Sequence, residues 1–211
     1  MLRTLIRSLH HRLSHKNRTE ILAEIISGLI VRAGSRKPFC LDIGCGDMTL
    51  TRKLKKILPN GTFYGIDLQV QDAPEIKGIN YQQFNGCDIP FDNNTFDIVM
   101  LIDVLHHASR KQQIQLLHEA SRVGKILIIK DHLSTGAWSD ALLYAADVFG
   151  NWGKRVISPG LYFNRESYST ILRTSGLTEI HRISTVDLYK NTPLVCYVMK
   201  PCWQIISVLK R

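Results

Sequence analysis

The stretch Phe39-Cys40-Leu41-Asp42-Ile43-Gly44-Cys45-Gly46-Asp47-Met48 (residues 39–48) decides how this chain is read. Its first five residues form a short, mostly apolar run, the pattern of a buried strand. An aspartate-and-glycine turn then leads into a helix over 49–58. Glycine at the carboxyl end of a strand lets backbone N–H groups come close to a ligand. A dinucleotide site prefers Gly-x-Gly-x-x-Gly, and counted from Gly44 the last of those positions is Thr49. No Gly-Lys-Ser/Thr run follows, which excludes the phosphate loop of nucleotide hydrolases. What remains is an aspartate at a strand end followed by Gly-x-Gly. The next apolar strand, 62–67, also closes on an acid, in Gly65-Ile66-Asp67-Leu68. A carboxylate at that place can accept both hydroxyls of a ribose. Together the two strand ends point to a ribose-bearing nucleoside ligand.

Working outward, Asn17-Arg18-Thr19-Glu20 has the form of a capping box. It predicts a helix that buries Ile21, Leu22, Ile25, Ile26 and Leu29 and stops near Gly34. Further strands are expected near 81–84, over 96–102 and over 125–130, with a helix over 111–121 between the last two. Beyond them come helices over 139–149 and 164–174, with Gly176 as a stop, and two closing strands over 177–183 and 194–199. Strands that are apolar throughout and alternate with helices give a sheet covered on both faces. The expected fold is α/β: a Rossmann-like, seven-stranded, mostly parallel sheet with helices on both faces, N-terminal helices and an insertion after the fifth strand. One domain spans 1–211: N-terminal helices (1–35), a cofactor-binding half (36–135), and an acceptor-side insertion with closing strands (136–211).

The net charge of +9 is unevenly spread: residues 1–60 carry +8, 61–151 carry −5 and 152–211 carry +6. The acids therefore gather where a cationic cofactor would sit, which weighs against nucleic acid as the partner. The five cysteines (Cys40, Cys45, Cys87, Cys196, Cys202) form no Cys-x-x-Cys pair, so no metal site is expected. Reduced thiols suit a cytoplasmic protein. No uncharged apolar run approaches the roughly 20 residues a bilayer span needs. Leu2, Leu5, Ile6, Leu9 and Leu13 recur at helical spacing with Arg3, Arg7 and Arg12 between them. Such a basic amphipathic helix is expected to pack on the domain; peripheral membrane contact or a targeting leader is the alternative.

Across residues 20–135 the chain resembles the class I S-adenosylmethionine-dependent methyltransferases, and most closely their quinone-methyltransferase-type, small-molecule branch. Leu41-Asp42-Ile43-Gly44-Cys45-Gly46 is similar to their first motif and Gly65-Ile66-Asp67-Leu68 to their second. Asn85-Gly86-Cys87-Asp88-Ile89-Pro90-Phe91 and the run from Phe96 to His107 resemble the approach to, and exit from, the fourth strand. The resemblance implies S-adenosylmethionine as cofactor. It places Gly44, Cys45 and Gly46 along the methionine part, with Asp42 orienting the loop or the amino group. It places Asp67 on the ribose hydroxyls, Leu68 against the adenine, Asp88 on the adenine amino group, and Ile89 packing there and offering its N–H. Ile102, with Asp103, would meet the amino-acid end. Met48 stands where the family has a third glycine, and its side chain is expected to crowd the loop.

A methyl group on a sulfonium is already activated, so the protein must align an acceptor and, for O- or acidic C-methylation, remove a proton. The candidate bases are His106 and His107 after the fourth strand and His132 after the fifth. Asp103 could instead orient a histidine, and Asp131 is expected to face the substrate or support His132. Trp152 and Tyr162 could line an apolar acceptor pocket, and Arg155 could meet an anionic acceptor. The expected activity is methylation of a small molecule; the alternatives are an RNA methyltransferase and a non-catalytic cofactor-binding domain. Neither the acceptor nor the oligomeric state follows from the sequence.

Overall fold

The computed structural model describes residues 2–68, 77–150, 160–190 and 195–211. Seven strands make one sheet in the order β3-β2-β1-β4-β5-β7-β6. They are β1 (Phe39–Ile43), β2 (Thr62–Asp67), β3 (Ile79–Gln83), β4 (Phe96–Ile102), β5 (Gly124–His132), β6 (Thr178–Ile183) and β7 (Gln204–Lys210). The first five pair in parallel. β7 enters between β5 and β6, antiparallel to both. Helices α1 (Leu2–Arg32), α2 (Thr49–Ile57), α3 (Arg110–Val123), α4 (Ala137–Gly150), α5 (Arg165–Thr174) and the single turn α6 (Val195–Val198) complete the described fold.

Alternation along each strand divides the core between the two faces. From β4, Val99 and Leu101 join Leu116, Leu117 and Ala120 of α3 and Ile171 and Leu172 of α5. Its neighbours Ile98 and Met100 join Leu22, Ala23, Ile26 and Ile30 of α1 and Leu54 of α2. Burial on both faces is why these strands read as continuous apolar runs. A smaller cluster of Leu143, Tyr162, Met199 and Trp203 lies under the chain that follows β5.

Two expectations are corrected. Residues 1–35 do not divide into two helices: Leu2–Arg32 is one helix, and Asn17–Glu20 lie inside it. No proline or glycine interrupts the chain between Leu2 and Ser27, so the polar quartet does not end a helix already running. The last strand is also not 194–199. Val195–Val198 is a helical turn, Met199 packs beside Trp203 in the third cluster, and the strand is Gln204–Lys210, buried as far as Leu209. Among the described residues no helix is long and apolar enough to cross a membrane.

Candidate active site at the carboxyl ends of the strands

The glycine turn leaves β1 with three residues in the left-handed region: Gly44 (φ 71°), Gly46 (φ 52°) and Met48 (φ 59°). Gly44 is glycine for space as well as angle, since a Cβ there would stand 2.7 Å from Val104 Cγ2. A Cβ on Gly46 would meet nothing within 4 Å, so one side of this turn is not packed by protein. The turn is pinned to β2 from beneath: Gly44 N–H donates to Ile66 O at 2.8 Å. Gly46 N–H donates to Asp67 Oδ2, also at 2.8 Å. Met48 does not crowd the turn. It takes the left-handed backbone of the missing glycine and buries its side chain to 3% exposure over Gly65, where a Cβ would come within 3.3 Å of Met48 Cε. That conformation costs a non-glycine residue about 1–3 kcal/mol, which the burial offsets.

Asp42 is buried beneath the turn and accepts the Thr51 hydroxyl at 2.5 Å. Burial pushes its carboxyl up to about 7, against the Thr51 hydrogen bond and with a further push from Asp67. At the exit of β2, Leu68 is 59% exposed, an apolar side chain offered to solvent beside Asp67. Asp88 is also exposed and sits in a turn organised by Asn85, whose Oδ1 accepts from Cys87 and Asp88 N–H at 2.8 Å. Ile89 departs from expectation: it packs in the core, but its N–H donates to Glu119 Oε2 at 3.1 Å and is not offered to a ligand. Cys45 is half-buried, and burial beside Asp42 and Asp67 keeps its thiol protonated. Two carboxylates under an unpacked turn, an exposed leucine and a further surface acid suit a cationic nucleoside.

The carboxyl ends of β4 and β5 are built from charge. Asp103, just past Ile102, takes a left-handed φ of 57° and pairs with Arg18 of α1 and Lys130 of β5. Burial alone would raise its carboxyl, but Lys130 and Arg18 hold it well below the usual range. His132 Nε2 lies 3.3 Å from Asp103 Oδ1, and its Nδ1 lies 3.1 Å from Gln204 Nε2. A carboxylate only accepts, so Nε2 carries the proton and Nδ1 accepts from the Gln204 amide. Burial, and then the Lys130 cation, push His132 down to about 3. It is neutral, with both nitrogens engaged.

His106 is fully buried, with Nδ1 2.7 Å from Asp131 Oδ1. Its Nε2 stands 3.2 Å from Asp147 Oδ2 on α4. Burial would lower its pKa, but the Asp131 and Asp147 carboxylates outweigh that and raise it to about 10. Asp131 is wholly buried; besides His106 it accepts the N–H groups of Leu105 and His132. Tyr162 stacks on His106, with ring centroids 5.5 Å apart, and its hydroxyl donates to Asp147 Oδ2. His107 lies against His106 at 4.0 Å between ring centroids and is half-buried. Burial and the neighbouring His106 cation lower its pKa, and its Nδ1 has no hydrogen-bond partner.

All three expected histidines therefore stand together, but they are not equivalent as bases. His106 is locked between carboxylates and His132 between Asp103 and Gln204, so neither has a lone pair to take a proton. Asp131 does not face a substrate, because its oxygens are spent on His106 and two backbone amides. Asp103 orients His132 and anchors Arg18, while Ile102 is half-buried at the strand end. Trp152 and Arg155 lie outside the described residues. Reading the sequence missed Arg18, Lys130, Asp147 and Gln204. Two of them left a trace: Lys130 interrupts an apolar strand, and Asp147 is a lone acid in the apolar stretch Ala141–Phe149.

Residues 41–126 match the family model of a methyltransferase domain. No curated protein sequence matches the chain. Among solved structures, a S-adenosylmethionine-dependent methyltransferase from Aquifex aeolicus shares 17% identity over 96% of this chain and 97% of that one, with a TM-score of 0.62. A putative methyltransferase from Haloferax volcanii, in complex with the activator Trm112, shares 16% over 82% and 81%, at 0.61. Human N-acetylserotonin methyltransferase with its cofactor shares 14% over 97% of this chain but 56% of that one, at 0.63. The chain thus spans about half the length of that larger enzyme, and at these identities the likeness to the solved structures is one of fold.

Proposed function

We propose that this chain, whose residues 41–126 match a methyltransferase domain, is a class I S-adenosylmethionine-dependent methyltransferase that methylates an oxygen or carbon of a small-molecule acceptor held at the ends of β4 and β5. The cofactor supplies a methyl group already activated on a sulfonium. Asp67 would hold the ribose hydroxyls while its Oδ2 keeps the Gly46 amide in place. Leu68 and Asp88 would flank the adenine, and Asp42 would balance the ammonium from beneath the turn.

The observation that carries the acceptor side is the inequivalence of the three histidines. His106 is held as a cation between Asp131 and Asp147 and His132 is engaged at both nitrogens, which leaves His107 as the histidine able to meet the acceptor and take its proton. Tyr162 and Asp147 fix the ring stack behind it.

Calorimetry tests the cofactor arm. S-adenosylhomocysteine should bind, and Asp67→Ala should weaken it about tenfold or more, as expected for loss of a charge-assisted hydrogen bond worth ~1.5–3 kcal/mol. No binding by the parent protein would remove the proposal. Methyl transfer to a panel of small hydroxylated molecules, with RNA as the competing acceptor, tests the rest. Retention on RNA that falls steeply with salt would favour the nucleic-acid alternative.

A further inference from the structure

We infer that His106, His107 and Asp147 form a binding site for a divalent transition-metal ion of the zinc type. The three side chains offer ligand atoms that all lie within 4.8 Å of one another. Two come from the turn after β4 and the third from α4, forty residues further along the chain.

His106 is placed as a metal-bound histidine would be. Its Nδ1 is fixed by the buried Asp131 carboxylate at 2.7 Å, which turns Nε2 toward Asp147 as the nitrogen that would bind an ion in exchange for its proton. Nε2 stands 3.2 Å from Asp147 Oδ2, yet it is buried and makes no aligned hydrogen bond. The pair needs a positive charge: without metal the proton on His106 supplies it, and an ion bound off the N···O line would take that proton's place. Two ligands of tetrahedral zinc, each about 2.0–2.1 Å from the ion, stand roughly 3.4 Å apart. The observed 3.2 Å is close to that edge.

His107 Nδ1 is a second buried nitrogen without a partner, on the ring packed against His106. One ion would satisfy both nitrogens and Asp147 together. The Tyr162 hydroxyl steadies Asp147 as Asp131 steadies His106, giving two of the three ligands an outer support. Two imidazoles and one carboxylate, with a further position open, is the donor set of catalytic rather than structural zinc. The absence of Cys-x-x-Cys or His-x-x-x-His spacing did not exclude this site, because its third ligand comes from another element.

What the ion does rests on the methyltransferase reading; that it binds does not. At the acceptor end its open position would take an oxygen donor and lower the pKa of a hydroxyl held there, which gives its proton to solvent before the oxygen attacks the sulfonium methyl and the thioether leaves. This narrows the acceptor to a hydroxyl-bearing molecule methylated on oxygen, with His107 a ligand and not the base.

The full-length protein, stripped with chelator, is titrated with Co2+ and then Zn2+. The expected result is one Co2+ per chain with visible absorption, displaced by one Zn2+. His107→Ala and Asp147→Asn should each weaken Zn2+ binding at least tenfold, with circular dichroism confirming that they fold. Absence of stoichiometric uptake, or uptake unchanged in both variants, overturns the proposal. S-adenosylhomocysteine calorimetry on the same samples separates the two readings. Cofactor binding without metal uptake removes the ion alone and returns His107 to the role of base. Metal uptake without cofactor binding removes the methyltransferase reading and leaves the ion site standing.

Discussion

The ends of β1 and β2 and the ends of β4 and β5 lie on the same edge of one sheet and are built on opposite principles. The first is made of backbone: left-handed residues at Gly44, Gly46 and Met48, with a carboxylate under the turn and another holding a single amide. The second is made of side chains: Arg18, Asp103, His106, Lys130, Asp131, His132, Asp147 and Gln204 interlock in a largely buried network drawn from α1, the β4 exit, β5, α4 and β7. A backbone site needs small residues in an unbroken run and keeps its ligand-facing side open. A side-chain network needs every partner present, because an orphaned buried charge is costly.

That contrast predicts where substitutions hurt, and the largest effect falls on the network. Asp131→Ala strands the His106 cation and the Leu105 amide, and should cost about 3–5 kcal/mol in denaturant unfolding. A loss below about 1 kcal/mol would show that the network is not a structural unit.

Next is Asp42, which faces Thr51 and, at longer range, Asp67. Its carboxyl is raised to about 7 when folded and titrates near 3.8 when unfolded. Its contribution is therefore greatest below the unfolded value, declines as pH rises toward the folded value, and is flat above it. Asp42→Asn does not titrate, so its stability relative to the parent should improve by about 3 kcal/mol between pH 5 and pH 8. A pH-independent difference would mean that burial does not control this group.

The smallest of the three is Gly65→Ala, whose new methyl would stand 2.7 Å from Cys45 Sγ and press on Met48. Overpacking of this kind costs about 1–3 kcal/mol. Because it lifts the turn, cofactor affinity should fall alongside thermal stability. An affinity change with no loss of stability would mean that the turn rests on its hydrogen bonds to β2 and not on this packing.

The same contrast explains what could be read in advance. Asp42, Gly44, Gly46 and Asp67 were legible because strand, turn and acid are contiguous, and the structure joins the two motifs through the Gly46 to Asp67 hydrogen bond. The histidines were found by their place after β4 and β5, but their inequivalence was not, since Asp147 and Gln204 lie far along the chain. Ile89 packed as expected while its N–H went to Glu119, a partner on α3 that no local pattern announced. The last strand was misplaced because two apolar runs, 194–199 and 204–209, compete for one position. Only the second is buried between β5 and β6.

By itself the sequence determined the α/β class, the five parallel strands within a residue or two, and the glycine turn between the first strand and its helix. Each of these depends on interactions within a few residues, where periodicity and glycine geometry suffice. The tertiary structure alone decided that residues 2–32 form one helix and that Met48 could take a glycine's conformation. It also decided which histidine keeps a nitrogen for chemistry, and that an acid from α4 stands beside it. Those outcomes turn on burial and on charges brought together from distant parts of the chain; a lone charge in an apolar run marks that a partner is needed, but which partner it meets is set only when the fold has closed.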